Sequence, residues 1–219
     1  MPQRPKEQMR QAIIDAAAAE FAGVGFAAAT LAQVAQRAGT SIGNVYKYFA
    51  GKDALFAAAV PDELAETLRL LLRRRMQAAI GVRDLRRLPP DHRYHRAAQD
   101  LLHFTLSHRF QILVLLSQSE GTPFAGFADD LAARLTRIAL AYGRRTYPAA
   151  RLSASRRRTL TRLYRGFLSA LASILREEQS APALRRASEQ YVQYHQAGLR
   201  AFFAAAERSD KAPPRRESI

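Results

Sequence analysis

Apolar residues recur at three- and four-residue steps along nearly the whole of this 219-residue chain. That spacing is the period of a helix face, and no two-residue alternation competes with it. It restricts the chain to an all-α fold of about nine helices. The first helix spans roughly Met9 to Val24. Ile13, Ala17, Phe21 and Val24 share its face, and Gly23 and Gly25 suit a left-handed end. Thr30 has the right chemistry to cap a short second helix, because its hydroxyl accepts a free backbone N–H of the first turn. Gly39 ends that helix and Ser41 caps a third, "IGNVYKYF". A fourth starts near Lys52, with Asp53 placed where its charge complements the dipole. It extends to about Ala79 with a proline kink at Pro61. Gly81 and residues 88–90 mark a loop. Five more helices are expected at about 93–107, 109–119, 127–145, 155–178 and 182–207. Residues 209–219 read as a polar, proline-containing disordered tail.

At 48% hydrophobic residues a packed core is within reach. The chain has no cysteine, so disulfides and thiolate metal sites are excluded. No run of about 18 apolar residues appears, and the opening "MPQRPKEQMR" lacks the apolar core of a signal peptide. A cytoplasmic protein with no membrane span is the expectation. The formal net charge is +15. Such a charge favours polyanionic partners, yet 30 of the 34 basic residues are arginine, as an Ala- and Arg-rich composition alone would give. Residues 1–52 carry only six basic residues against three acidic ones, so charge does not single out that segment.

Spacing does. Two short helices joined by a glycine-bearing turn, over Thr30–Lys52, form a helix-turn-helix. The first residues of its second helix enter the major groove. Here those are Ser41, Ile42, Gly43 and Asn44. Asn pairs bidentately with adenine, Ser bonds base or phosphate, and Ile42 offers only a contact to a thymine methyl. Gly43 keeps the helix surface low. Tyr46, Lys47 and Tyr48 are consecutive and point about 100° apart, so they cannot all be core. Their hydroxyls and ammonium suit phosphate oxygens. Lys52 stands at a helix start that already favours an anion. The competing reading makes Tyr46 and Tyr48 core edges and leaves both lysines solvated. The coincidence of turn, cap, short helix and lysines favours DNA. Val45 and Phe49 are expected to bury against the first helix.

"TLAQVAQRAGTSIGNVYKYFAGKDALF" resembles the DNA-binding domain of the TetR family of bacterial transcriptional regulators. The alanine pair, the glycine turn, the Gly–Asn–x–Tyr step, the Tyr–Phe end and the Lys–Asp–x–Leu helix start all match in place, over roughly residues 9–56. The resemblance implies a homodimer on a palindromic DNA operator, usually a repressor, that releases when a small-molecule effector binds. It implies phosphate contacts at Tyr46, Tyr48 and Lys52. Thr40, Ser41, Gly43, Asn44 and Lys47 match positions that touch bases or backbone. With Thr30 and Ile42 they complete the expected DNA-contact set. Ile42 and Ala32 depart from positions where members often place polar or basic readers. The corresponding division is a head over residues 1–51, with Arg4, Lys6 and Arg10 in a flexible arm. A ligand-binding and dimerisation domain follows over 52–208.

In that second part, the last two helices carry apolar stripes suited to a four-helix dimer bundle. The expected interface is Leu163, Phe167, Leu171, Ile174, Tyr191, Tyr194, Gly198 and Phe202. The expected effector pocket lies between helices over residues 92–164. Its candidate lining is Phe104, His108, Phe110, Gln118, Tyr142, Tyr164 and Phe167, which suits a hydrophobic or amphipathic ligand. His92, His95 and His103 lack carboxylates at a persuasive spacing, so no metal or cofactor is expected. Catalytic elbows, phosphate loops and dinucleotide fingerprints are absent. The two arginine runs at 73–75 and 156–158 read as solvated faces. Two alternatives stay open: a nonspecific architectural DNA binder, and a helical small-molecule-binding protein or enzyme.

Overall fold

The computed structural model describes residues 6–211, with side chains described through Arg208. Ten α-helices and one short 3-10 turn at Leu85–Arg87 account for its regular structure, and no strand occurs among the described residues. The helices are α1 (Lys6–Ala28), α2 (Leu31–Arg37), α3 (Ile42–Tyr48), α4 (Lys52–Ala59) and α5 (Asp62–Ala78). Then come α6 (Arg93–Ser107), α7 (Arg109–Ser117), α8 (Phe127–Thr146), α9 (Ala154–Glu177) and α10 (Ala181–Lys211).

The tenth helix comes from Pro61, where the sequence leads one to expect a kink. Pro61 is extended, at φ −71° and ψ 155°, so α4 ends outright and α5 begins at Asp62. A proline has no N–H to continue the ladder, and it disfavours helical geometry in the residue before it. Val60 accordingly leaves the helical region. At the N-terminus, α1 runs past the expected Val24. Gly25 breaks its regularity at φ 83°, and helical backbone resumes through Ala28. Lys6 and Arg10 lie in this helix rather than in an arm. Arg4 and residues 212–219 lie outside the described residues. α10 continues past the expected boundary at 208 to Lys211.

α1 is apolar enough, at a mean hydropathy of 1.2 over its best 18 residues, to cross a membrane by length and composition. Packing accounts for that apolarity. Ile13, Ala17 and Phe21 are buried, and the helix lies against α2, α4 and α7. In the body, α5 lies on α6 and α8 lies along α9, which also meets α7. Buried apolar residues from Ile13 in α1 to Phe203 in α10 form one connected cluster. The α1–α7 seam joins the first three helices to the rest. There a Cβ added at Gly25 would stand 2.9 Å from the Gln118 side-chain oxygen.

Candidate functional site

Thr30 caps α2 with a reciprocal box: its hydroxyl accepts from Gln33 N, and the Gln33 side-chain oxygen accepts from Thr30 N at 2.8 Å. Ser41 caps α3 by accepting from Asn44 N at 3.2 Å. Gly39 sits at φ 65°, which lets the chain turn between the two helices without a Cβ penalty. Inside, Val34 and Val45 are fully buried and Phe49 nearly so, which fixes α3 across α2 and α1. Arg37 donates to Glu20 at 2.9 Å and neutralises a carboxylate that is itself buried.

Outside, α3 presents Ile42, Gly43, Tyr46 and Lys47 to solvent, and Ser41 beside them. Tyr46 is 56% exposed and Ile42 45%, too open for core edges. Tyr48 differs: it is half-buried and packs against the core. Asn44 is half-buried, and its amide donates to the Thr40 hydroxyl at 2.8 Å, which fixes its orientation at the start of α3. Lys52 departs from expectation. Its ammonium donates to Ala27 O at 3.0 Å and Ala29 O at 2.8 Å, and stands 4.6 Å from the Phe26 ring. It is folded back onto the α1–α2 link, because that link ends in carbonyls that the helices leave unpaired.

The body contains a cavity of about 840 Å³. Its walls come from α5 (Leu72, Arg75, Met76), α6 (Tyr94, His95), α8 (Leu135, Ala139, Tyr142), α9 (Tyr164, Phe167) and α10 (His195, Leu199, Phe203). Three of the expected lining residues, Tyr142, Tyr164 and Phe167, are among them. The other four are not. Phe104 packs at 4.5 Å on the His108 ring, away from the cavity, and Phe110 is 41% exposed beside Arg109. Gln118 belongs to the seam at Gly25. Burial holds the His108 imidazole below its ordinary pKa, and His103 adds to the effect.

Polar and aromatic side chains share the cavity wall. Tyr142 donates to Val82 O at 2.8 Å. Burial pushes the hydroxyls of Tyr142 and Tyr164 well above the usual tyrosine range. The His195 ring lies against Phe167 at 4.3 Å and Tyr164 at 5.3 Å. Burial, and then the Arg75 charge, hold it down to about 4. At the rim, Arg83 makes two 2.9 Å bonds to Glu207, and Arg86 and Arg200 both pair with Asp84. Those pairs hold the Asp84 carboxyl far below its ordinary value, with the Arg86 hydrogen bond the largest cause.

α5 and α10 supply half of the cavity wall, and both were missed as pocket elements. Arg75 belongs to the run at 73–75 that reads as a solvated face, yet it stands three residues after Leu72, on the face that Leu68 and Leu72 bury. His195 stands four residues after Tyr191, on the stripe assigned to the dimer face. On that face Tyr194 is 73% exposed and Leu163 39%, while Gly198 is also exposed. Leu171, Ile174, Tyr191 and Phe202 are half-buried against the core. Phe167 is buried and stacks on Tyr191 at 5.7 Å, so it faces inward rather than toward a partner.

The described residues thus combine a capped helix-turn-helix with a helical body that holds a cavity of about 840 Å³. Residues 13–59 match the family model of the bacterial regulatory proteins of the tetR family. That match spans α1 to α4, so the likeness to this family of regulatory proteins covers the helix-turn-helix part of the chain. The chain is 37% identical over 75 residues to the HTH-type transcriptional regulator BetI 1 of Chromohalobacter salexigens. That alignment covers 34% of this chain and 37% of the relative. Among solved structures it is similar to a protein of Mesorhizobium loti assigned to the TetR family, at 16% identity and a TM-score of 0.43, over 93% of this chain and 98% of that one. It is also similar to NalD of Pseudomonas aeruginosa, the secondary repressor of the MexAB-OprM multidrug efflux pump. That match has 19% identity and a TM-score of 0.41, over 89% and 97% of the chains. Likenesses this loose decide nothing about ligand or partner.

Proposed function

We propose that this protein is a cytoplasmic, ligand-responsive transcriptional repressor that binds a palindromic operator as a homodimer. The observation that carries the reading is the outer face of α3. A helix held from behind by Val45 and Phe49 turns Ser41, Ile42, Gly43, Tyr46 and Lys47 outward together. Ser41 and Asn44 address base edges, Ile42 a thymine methyl, and Tyr46 and Lys47 the phosphates. Thr30, the exposed cap of α2, and Thr40, in the turn before α3, add contacts to the DNA backbone. One such helix reads too few base pairs for an address in a genome. Two, related by a dyad and about 34–36 Å apart, read a palindrome. The exposed parts of α9 and α10, Leu163, Tyr194 and Gly198, are the proposed contact between subunits.

Residues 1–51 act as the reading head and 52–208 as the sensing and dimerising body. A route between them runs through aromatic rings. Arg69 of α5 lies 4.5 Å from the Phe127 ring, Phe127 meets Phe124, and Phe124 meets Phe56 of α4 at 6.3 Å. Phe56 touches Phe21 and Phe26 of α1. Less than one turn of α5, from Arg69 to Leu72, thus separates the rings beneath the head from the cavity wall. A ligand that favours one setting of α5 shifts the population of heads that fit the operator.

Selection from a random duplex pool tests this. The expected product is an inverted repeat whose half-sites lie about one helical turn apart, protected by a complex with the mass of two chains. Recovery of unrelated sequences would contradict the reading and favour a nonspecific architectural binder.

A further inference from the structure

The cavity wall carries four arginines, Arg75, Arg83, Arg86 and Arg200, against a single carboxylate, Asp84. Arg75 has five N–H donors, and one of them reaches the Tyr94 hydroxyl at 3.0 Å. Among the described residues no carboxylate pairs with it. Gln196 also donates to the Tyr94 oxygen. That oxygen therefore receives two hydrogen bonds, and its own proton has no acceptor among the described residues. Asp84, the one carboxylate among the lining residues described, is taken up by Arg86 and Arg200. His95 and His195 each bury an Nε2 that lacks a partner. One part of the wall is aromatic, with Tyr142, Tyr164, Phe167 and Phe203 beside Leu72 and Leu135.

From this arrangement we infer that the effector is an aromatic carboxylic acid, its carboxylate held by Arg75 and the Tyr94 hydroxyl and its ring system between Tyr164, Phe167 and Phe203. The inference rests on the cavity being the effector site. A carboxylate supplies the anionic partner that Arg75 lacks among the described residues. Its charge meets a guanidinium, and charge-assisted bonds of this kind are short and strong. An amide or alcohol would leave Arg75 uncompensated. The volume of about 840 Å³ accommodates a bicyclic or larger body. The unpartnered imidazoles, on the walls from α6 and α10, offer a second polar contact to a ring substituent.

Calorimetric titration of the full chain with 2-naphthoate, 2-naphthamide and decanoate near neutral pH tests it. The expected result is naphthoate tighter than both others by about tenfold or more. Arg75→Met keeps the aliphatic stem and should erase the preference over the amide, whereas Arg75→Lys should retain part of it. The wild-type comparison needs no variant to fold. Equal or tighter binding of the amide, tighter binding of decanoate, persistence of the preference in Arg75→Met, or no binding of any probe at about 1 mM would each overturn the inference. Duplex binding without any probe is measured in parallel. A protein that reads its operator but shows no acid preference sinks only the ligand class. One that prefers the acid but binds no duplex specifically sinks only the regulator reading.

Discussion

Lys52 illustrates how one side chain's role turns on where its charge goes. Its position at the start of α4 suggests a phosphate contact. The ammonium instead closes the α1–α2 link through Ala27 O and Ala29 O, above the Phe26 ring. Lys52→Met should therefore lower head stability by about 1–3 kcal/mol, since two partly sheltered carbonyls lose a charged donor. Urea unfolding would read this, and a variant with unchanged stability but weakened duplex binding would restore the phosphate role. His195 gives a second test at this scale. Burial keeps its folded pKa at about 4 against an ordinary 6.5. The unfolded chain thus takes up a proton as pH falls through 6.5, while the folded protein stays neutral until about 4. Stability attributable to His195 is complete above that window and lost on descending through it. Between pH 7 and 5 the loss is on the order of 2 kcal/mol. His195→Phe should flatten that part of the urea-midpoint profile. A variant with the same slope as the parent would place the pH dependence elsewhere.

At the scale of helices, α8 and α10 meet closely because Gly143 has no side chain. A Cβ there would lie 2.9 Å from Phe203 Cδ1 and closer still to its neighbour in the ring. Phe203 is nearly fully buried, stacked on Tyr147 and edge-on to Tyr142, so it has nowhere to move except into the cavity. Gly143→Ala should cost about 1–3 kcal/mol by overpacking and should also weaken ligand binding. A variant as stable as the parent, with unaltered ligand affinity, would mean that the helices separate freely. Most helices were legible from local chemistry: Thr30 and Ser41 as caps, and the apolar period for α6 to α10. Local signals failed where the answer lay in another element. Pro61 was visible, yet nothing nearby distinguished a kink from a full break. The pocket was sought on α6 to α9, whereas α5 and α10 close it. Gln118 looked like a pocket polar group and proved to pack against Gly25. Periodicity names a buried face but not the helix that covers it.

Across the whole molecule, one continuous apolar core joins the helix-turn-helix to the helices around the cavity. A formal charge of +15 would attract any duplex, so affinity by itself does not discriminate between a regulator and a general DNA binder. Specificity does. The most direct measurement is a titration of the full chain against its selected duplex and a scrambled duplex of equal length, over a series of salt concentrations. A specific regulator binds the selected duplex more tightly by about 10³ or more at physiological salt, with Tyr46→Phe and Lys47→Ala weakening that binding. Equal affinities with one common salt slope would contradict that reading.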